Sequence, residues 1–314
     1  KLVLTGGFLG SGKTTAIATA AHIFRHAKKR VAGITNDQGD QQVDSAFIRT
    51  LDISVKEVSN GCFCCNYPEL DAHIQALGEN HPDVIFAESV GSCTDLIATI
   101  AKPLNKFKPE IDVVISVFAD AEMLSSILEG RSAFVSESVR YIYKNQLAEA
   151  DLLILNKIDL LTTSRLQELH EIVESEYPGK ILLHQNSLCQ DHIKRWLEAI
   201  DQFTVIGARQ SVNIDYEIYG DGEAQLAWLD KSITVQTTTG DAIFVAENVI
   251  GSIVNEIQQK RVAIGHLKFF IESNKYSERV NFTATTTGAD VRLRRQTSNS
   301  VSVLINARVE SEPT

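Results

Sequence analysis

Gly7-Phe8-Leu9-Gly10-Ser11-Gly12-Lys13-Thr14 fits the pattern G-x-x-x-x-G-K-[ST] at every fixed position. Phosphate binding needs backbone N–H groups close to oxygen, and glycine at Gly7, Gly10 and Gly12 lets the chain approach that tightly around Ser11. A helix starting there adds its positive N-terminal end. On this pattern Lys13 reaches the β- and γ-phosphates, the Thr14 hydroxyl ligates Mg2+, and Thr15 touches the α-phosphate. The context agrees. Lys1–Thr5, with Leu2, Val3 and Leu4, reads as a short buried strand entering the loop, and Thr14 to about Lys28 reads as a helix with Ile17, Ala20, Ala21 and Phe24 at helical spacing.

Working outward, strands are expected at Val31–Thr35, Val84–Ala87, Val113–Phe118, Leu152–Leu155 and Ile181–His184. They are short, continuous and rich in Val, Ile and Leu, as strands buried on both faces should be. Helical stretches fall between them at Tyr67–Leu77, Thr94–Ala101, Ser138–Glu149, Thr163–Ser175 and His192–Phe203. This alternation predicts an α/β fold, a P-loop NTPase whose mostly parallel sheet is covered by helices on both faces, with sites at the carboxyl ends of the strands. After about residue 204 the pattern changes. The expected order is strand Ile233–Thr237, helix Ala246–Lys260, strands Ile264–Glu272 and Val280–Thr286, a short helix near Ala289–Arg295, and strand Ser300–Val309. The division read from the sequence is a P-loop domain over 1–204, a linker over 205–232 and a smaller α+β C-terminal domain over 233–314.

The 314 residues carry a net charge of −10, which repels phosphate backbones, so nucleic acid is not an expected partner. No apolar run reaches the roughly 18 residues of a membrane span, and no charged n-region with an apolar h-region opens the sequence. Five cysteines, clustered rather than spread, favour metal or redox chemistry in a reducing, cytoplasmic setting over a disulfide framework.

Further stretches carry chemistry. Asn156-Lys157-Ile158-Asp159 follows the run Leu152–Leu155. A carboxylate at Asp159 can accept from both guanine N1–H and N2–H2, Lys157 can lay its stem along the base, and Asn156 can tie this loop to the phosphate loop, which favours GTP over ATP. The bland alternative is Asn156 at a strand end and Asp159 capping a helix. Ser187-Leu188, after another strand, can close over the base through backbone amides. Cys62, Cys64 and Cys65 share one short loop. Thiolates suit Zn2+, Cu+ and similar ions, and tetrahedral zinc wants a fourth ligand, for which Asp37, Asp40, His73, Cys93, water or a partner subunit are candidates. Simple burial of the cysteines, or a redox pair, are the other readings. Asp37, in Asn36-Asp37-Gln38-Gly39-Asp40, lies where a nucleotide-responsive loop would orient the attacking water. Glu88, in Glu88-Ser89-Val90-Gly91, lies where such proteins place a second Mg2+ carboxylate, with the Gly91 N–H available to the γ-phosphate. Asp120 is a weaker candidate of the same kind, and for each carboxylate the alternative is a solvated helix cap. No water-positioning Gln or arginine finger stands out, so slow intrinsic hydrolysis is expected.

These segments resemble the CobW-type branch of the metal-handling GTPases that also includes UreG and HypB. The matching stretches are Thr5 to Thr15, Asn36-Asp37-Gln38-Gly39, Asn60-Gly61-Cys62-Phe63-Cys64-Cys65, Glu88-Ser89-Val90-Gly91, and Gln146-Leu147-Ala148-Glu149-Ala150-Asp151 leading to Asn156–Asp159. They arrive in the family's order over roughly the first 190 residues. The resemblance implies a GTPase cycling between GTP and GDP with Mg2+. It implies that Cys62, Cys64 and Cys65 bind Zn2+, Co2+ or another transition metal for delivery to, or assembly of, a client metalloprotein. It also implies GTP-dependent homodimerisation and a smaller C-terminal domain. Two motifs depart from the family's usual wording: Asn-Glu-Phe-Gly becomes Asn36-Asp37-Gln38-Gly39, and Glu-Thr-Thr-Gly becomes Glu88-Ser89-Val90-Gly91 with Cys93 after it. An alternative reading is an assembly factor for a cobalt, corrinoid or other metalloprotein client in which the metal is structural. A small-molecule kinase would use the same phosphate loop but explains neither the cysteines nor Asn156–Asp159.

Overall fold

A computed structural model describes residues 1–36, 43–51, 53–59, 61–131, 134, 136–205, 208–274, 276–286 and 291–311. The chain divides into two compact units, Lys1–Gln38 with Ile48–Glu223, and Gly39–Phe47 with Ala224–Thr314.

In the first unit the apolar runs become parallel strands. β1 (Leu2–Gly6), β2 (Val31–Asn36), β3 (Ser54–Val58), β4 (Val84–Glu88), β5 (Val113–Asp120), β6 (Leu152–Asn156) and β7 (Ile181–Gln185) form a seven-stranded sheet in the order β3-β2-β4-β1-β5-β6-β7. Every ladder is parallel. β1, β4, β5 and β6 are buried along their whole length, as strands covered on both faces must be. α1 (Lys13–His26) follows the glycine loop directly. The later helices are α3 (Tyr67–Gly78), a π-helical segment Ile97–Ala101 running into α4 (Lys102–Phe107), α5 (Ala121–Leu128), α6 (Glu137–Ala148), α7 (Thr163–Glu176), α8 (Gln190–Gln202) and α9 (Tyr216–Ala224). α2 (Val43–Arg49) lies between β2 and β3. Trp196 of α8 is fully buried against Phe86 and Phe118, and its indole N–H donates to Ser116 Oγ at 3.1 Å, so the largest core side chain leaves no polar atom unsatisfied.

Several elements differ from the sequence expectation for identifiable reasons. β3 (Ser54-Val55-Lys56-Glu57-Val58) is a charged edge strand and offers no apolar run. α9 contains Gly220 and Gly222, which argue against a helix. Yet a Cβ on Gly222 would stand 2.7 Å from both the Ser138 carbonyl and Ile142 Cδ1, so the glycine permits close packing on α6. The helix expected over Thr94–Ala101 begins later, as the π-helical segment Ile97–Ala101, and continues as α4 to Phe107 with Pro103 just past the junction.

In the second unit β8 (Leu226–Gln236), α10 (Ala242–Gln259), β9 (Ile264–Ser273), β10 (Tyr276–Phe282) and β11 (Ser300–Glu310) form an antiparallel sheet, β10-β9-β11-β8, with one helix. Ile243, Ala246, Ile250 and Val254 of α10 pack with Leu267, Phe269 and Ile271 of β9 and Val301, Val303 and Ile305 of β11. The short helix expected near Ala289–Arg295 does not form over its described part. Val291 and Leu293 are buried and Arg292 and Arg294 exposed, the period of an extended arm, and the Leu293 N–H donates to Glu247 Oε2 at 3.1 Å. Asp44 of α2 pairs with Lys268 and Arg279, and Asn306 Oδ1 accepts from the Val43 N–H at 2.7 Å. Among the described residues no helix is long and apolar enough to cross a membrane.

Candidate functional site

The site assembles at the carboxyl ends of β1, β2, β4, β5, β6 and β7. Gly7 adopts φ +119°, and a Cβ there would lie 2.1 Å from the Phe118 carbonyl, so the loop's first turn accepts only glycine. Gly12, φ +94°, would bring a Cβ within 2.3 Å of Asn156 Nδ2. Lys13 folds back over the loop and donates to the carbonyls of Gly7 at 2.6 Å and Phe8 at 3.1 Å, so its ammonium lies within the curve of the loop. Thr14 Oγ1 donates to Glu88 Oε1 at 2.8 Å, and both are buried. A hydroxyl and a carboxylate side by side at the head of α1 are hard oxygen ligands, and the pair fits Mg2+. Thr15 follows half-buried on α1. Gly91 lies against the loop so closely that a Cβ would meet Leu9 Cδ2 at 2.6 Å and the Leu9 backbone at 3.0 Å.

The Asn156–Asp159 loop is physically tied to this one. Asn156 Nδ2 donates to the Ser11 carbonyl at 2.7 Å, while Asn156 Oδ1 accepts from the Ser187 N–H and hydroxyl at 3.1 and 2.9 Å. Thr19 of α1 donates to the Ser187 carbonyl at 2.8 Å. Lys157 takes the left-handed conformation (φ 59°) and its ammonium pairs with Asp120 Oδ2 at 2.7 Å. Asp120 is 0% exposed and also caps α5 through the Met123 N–H, so it orients Lys157 rather than facing the metal pair. Asp159 is exposed, and the cap of α7 is Thr162, so the capping alternative for Asp159 falls away. Leu188 is exposed, and its N–H donates to Asn186 Oδ1 at 2.9 Å.

Cys62, Cys64 and Cys65 bring their sulfur atoms within 4.8 Å of one another. Cys62 and Cys64 are joined as a disulfide and Cys65 is free and exposed. Opened by reduction, the three thiolates would have the spacing of a common ion. Protein contacts hold the loop: Asn36 at the end of β2 donates to the carbonyls of Val58 at 3.0 Å and Gly61 at 2.7 Å and accepts from the Phe63 N–H at 2.9 Å, while the Phe63 ring is fully buried. Of the fourth-ligand candidates, His73 is turned to the Glu57 carbonyl at 2.9 Å and joins no cluster. Cys93 is buried, its thiol directed at the Thr94 carbonyl; burial and then the Glu149 carboxylate push it well above the ordinary thiol range. Asp37, Asp40 and Asn60 lie outside the described residues.

Three residues escaped the sequence reading. Asn36 bridges β2 to the cysteine loop. Gln146 and Glu149 of the stretch Gln146–Asp151 reach the turn after Glu88: Gln146 Nε2 donates to the carbonyls of Gly91 and Cys93, each at 2.9 Å, and Glu149 accepts from Thr94 Oγ1 and the Ile97 N–H, each at 3.0 Å.

The family described as CobW/HypB/UreG, nucleotide-binding domain, matches over residues 1–183. The chain belongs to this family. Over 200 residues it is 30% identical to the zinc chaperone CobW of Sinorhizobium sp, 55% of each chain, and over 188 residues 28% identical to the zinc chaperone YeiR of Escherichia coli, 58% of this chain and 53% of that one. The chain thus spans about half the length of the curated relatives it matches. HypB from Helicobacter pylori, solved in complex with nickel, superposes with a TM-score of 0.47 at 15% identity, over 64% of this chain and 87% of that one. As a CobW/HypB/UreG protein, the chain has its nucleotide-binding domain in the first unit, and its cysteine trio stands at the β2–β3 edge of that domain's sheet.

Proposed function

We propose that this CobW-family protein is a GTPase that loads a transition metal, zinc in the first instance, on Cys62, Cys64 and Cys65 and yields it to a client metalloprotein as the nucleotide changes. The observation that carries this reading is a short structural path. Thr14 bonds Glu88, Glu88 pairs with Thr35 in the β4–β2 ladder, and the next residue, Asn36, grips the cysteine loop. A change at the Thr14–Glu88 pair thus has a direct route to the sulfurs. Thr14 and Glu88 would hold Mg2+, which supplies charge neutralisation at the β- and γ-phosphates. Lys13 supports the same charge, Asp159 reads guanine, Asn156 and Ser187 order the base loop, and Asp37 orients water. With these groups alone turnover is slow. GTP-dependent pairing of two copies belongs to the same proposal, as does the client.

The alternative, an assembly factor with a structural metal, is separated from this reading by Cys62→Ser: an intact fold without metal favours delivery, and unfolding favours a structural site. Metal analysis of protein purified without chelators is the test. Near-stoichiometric zinc, cobalt or nickel that disappears in a Cys62→Ser/Cys64→Ser/Cys65→Ser variant supports the reading, and the same content in both proteins overturns it.

A further inference from the structure

The turn between Glu88 and the π-helical segment is gripped from one side by α6 and α9. Gln146 holds the carbonyls of Gly91 and Cys93. Glu149, 1% exposed, takes the Thr94 hydroxyl on Oε2 and the Ile97 N–H on Oε1. Tyr216 of α9 donates to Asp95, which sits in the left-handed conformation at φ 69°. Gly91, in the same turn, lies close against Leu9 of the glycine loop. We propose that Glu149 is a positioning residue for the nucleotide switch: the turn Gly91–Ile97 is held closed while this side chain carries a proton and is released when it ionises. The proposal rests on the reading of the neighbouring loops as a GTP site.

The chemistry of the two forms favours this direction. A protonated Glu149 keeps both contacts, its O–H donating to the Thr94 hydroxyl while the other oxygen still accepts from the Ile97 N–H. The ionised form also accepts both, but as a charge almost wholly withdrawn from water it gains by reaching water. Water has a way in, since Glu149 and Ile97 line a cavity of about 570 Å3 with Lys180 and Arg209. The groups facing Glu149 are Asp95 and Cys93 of the turn, Lys180 before β7, Tyr216 of α9, and Asp151 with Arg209, which pair with each other. Burial, and secondarily the Asp95 carboxylate, raise the Glu149 carboxyl to about 7, against the opposing hydrogen bonds from Ile97 and Thr94. In linkage terms, a carboxyl raised in the closed state holds that state fully at acid pH and loses it as pH climbs through the raised value.

The test uses the full chain with Mg2+ and a fluorescent non-hydrolysable GTP analogue or fluorescent GDP, measuring dissociation rates from about pH 6 to about pH 8.5. A terminal phosphate needs Gly91 in place, so the analogue is expected to leave roughly three- to tenfold faster at the alkaline end, with GDP unchanged. Glu149→Gln, a neutral side chain of the same shape, is expected to dissociate slowly at every pH. The analogue's own titration is common to both proteins and cancels in the comparison. The proposal is overturned if Glu149→Gln keeps the wild-type profile, or if GDP and the analogue shift together. Failure of any guanine nucleotide to bind would sink the reading of the site instead. The clamp is then judged by amide exchange of Thr94–Ile97 in nucleotide-free protein, corrected for intrinsic rates. Extra opening above neutral pH in the wild type alone supports the proposal, and equal exchange in both proteins rejects it.

Discussion

Glu149 is the residue whose burial has the clearest thermodynamic consequence. Its carboxyl rises from 4.5 to about 7, chiefly through desolvation. A group raised on folding contributes stability that is complete below its unfolded value and is lost as pH rises through the folded one, here about 3 kcal/mol between about pH 4.5 and pH 7. Glu149→Gln removes that dependence. The difference in unfolding free energy between variant and wild type, measured in urea at about pH 5 and about pH 8, is therefore expected to move in the variant's favour at the higher pH. Parallel profiles would contradict the assignment. Asp159 makes a sharper functional statement. If its carboxylate takes both guanine donors, Asp159→Ala is expected to weaken GTP binding by about 10- to 100-fold, the worth of one good bidentate contact to a base. An unchanged affinity for a fluorescent GTP analogue would remove Asp159 from the site.

At the scale of elements, α8 and the cysteine loop respond differently to truncation. Trp196 fills the space between Phe86 and Phe118, so Trp196→Ala leaves a cavity the sheet cannot collapse and is expected to cost about 3–5 kcal/mol in chemical denaturation. A loss below about 1 kcal/mol would mean the helix is not docked as described. The cysteine loop, by contrast, owes its shape to Asn36 and Phe63. Cys62→Ser is expected to leave the unfolding midpoint nearly unchanged while removing metal, and metal uptake by the wild type is expected to need a reductant that opens Cys62–Cys64. Full loading under oxidising conditions would argue against thiolate ligation.

The same elements explain what the sequence could and could not convey. Strands such as Leu152–Asn156 and Val113–Asp120 are continuous apolar runs and declare themselves. Ser54–Val58 is an edge strand of alternating burial and does not, and Gly222 disguises a helix whose close packing requires it. Within the site, Gly7–Thr14 and Asn156–Asp159 stand out in the sequence because each is a local pattern, and the structure ties the two loops together. The Asn36 grip spans 25 residues and the Gln146 grip 55, and neither leaves a mark in the local spacing.

Over the whole molecule, each unit has its own core, a parallel sheet with helices in one and an antiparallel sheet under α10 in the other. In the first unit a route of bonded neighbours links Thr14 and Glu88 through Thr35 and Asn36 to the loop that carries three sulfurs. If nucleotide alters the grip on metal, metal must alter the affinity for nucleotide by the same factor. The most direct measurement is isothermal titration of reduced protein with Zn2+ in the presence of a non-hydrolysable GTP analogue and, separately, of GDP. The expected result is a difference in zinc affinity of about 5- to 150-fold between the two, the usual range of coupled sites. Zinc affinities that coincide with both nucleotides bound would contradict the account.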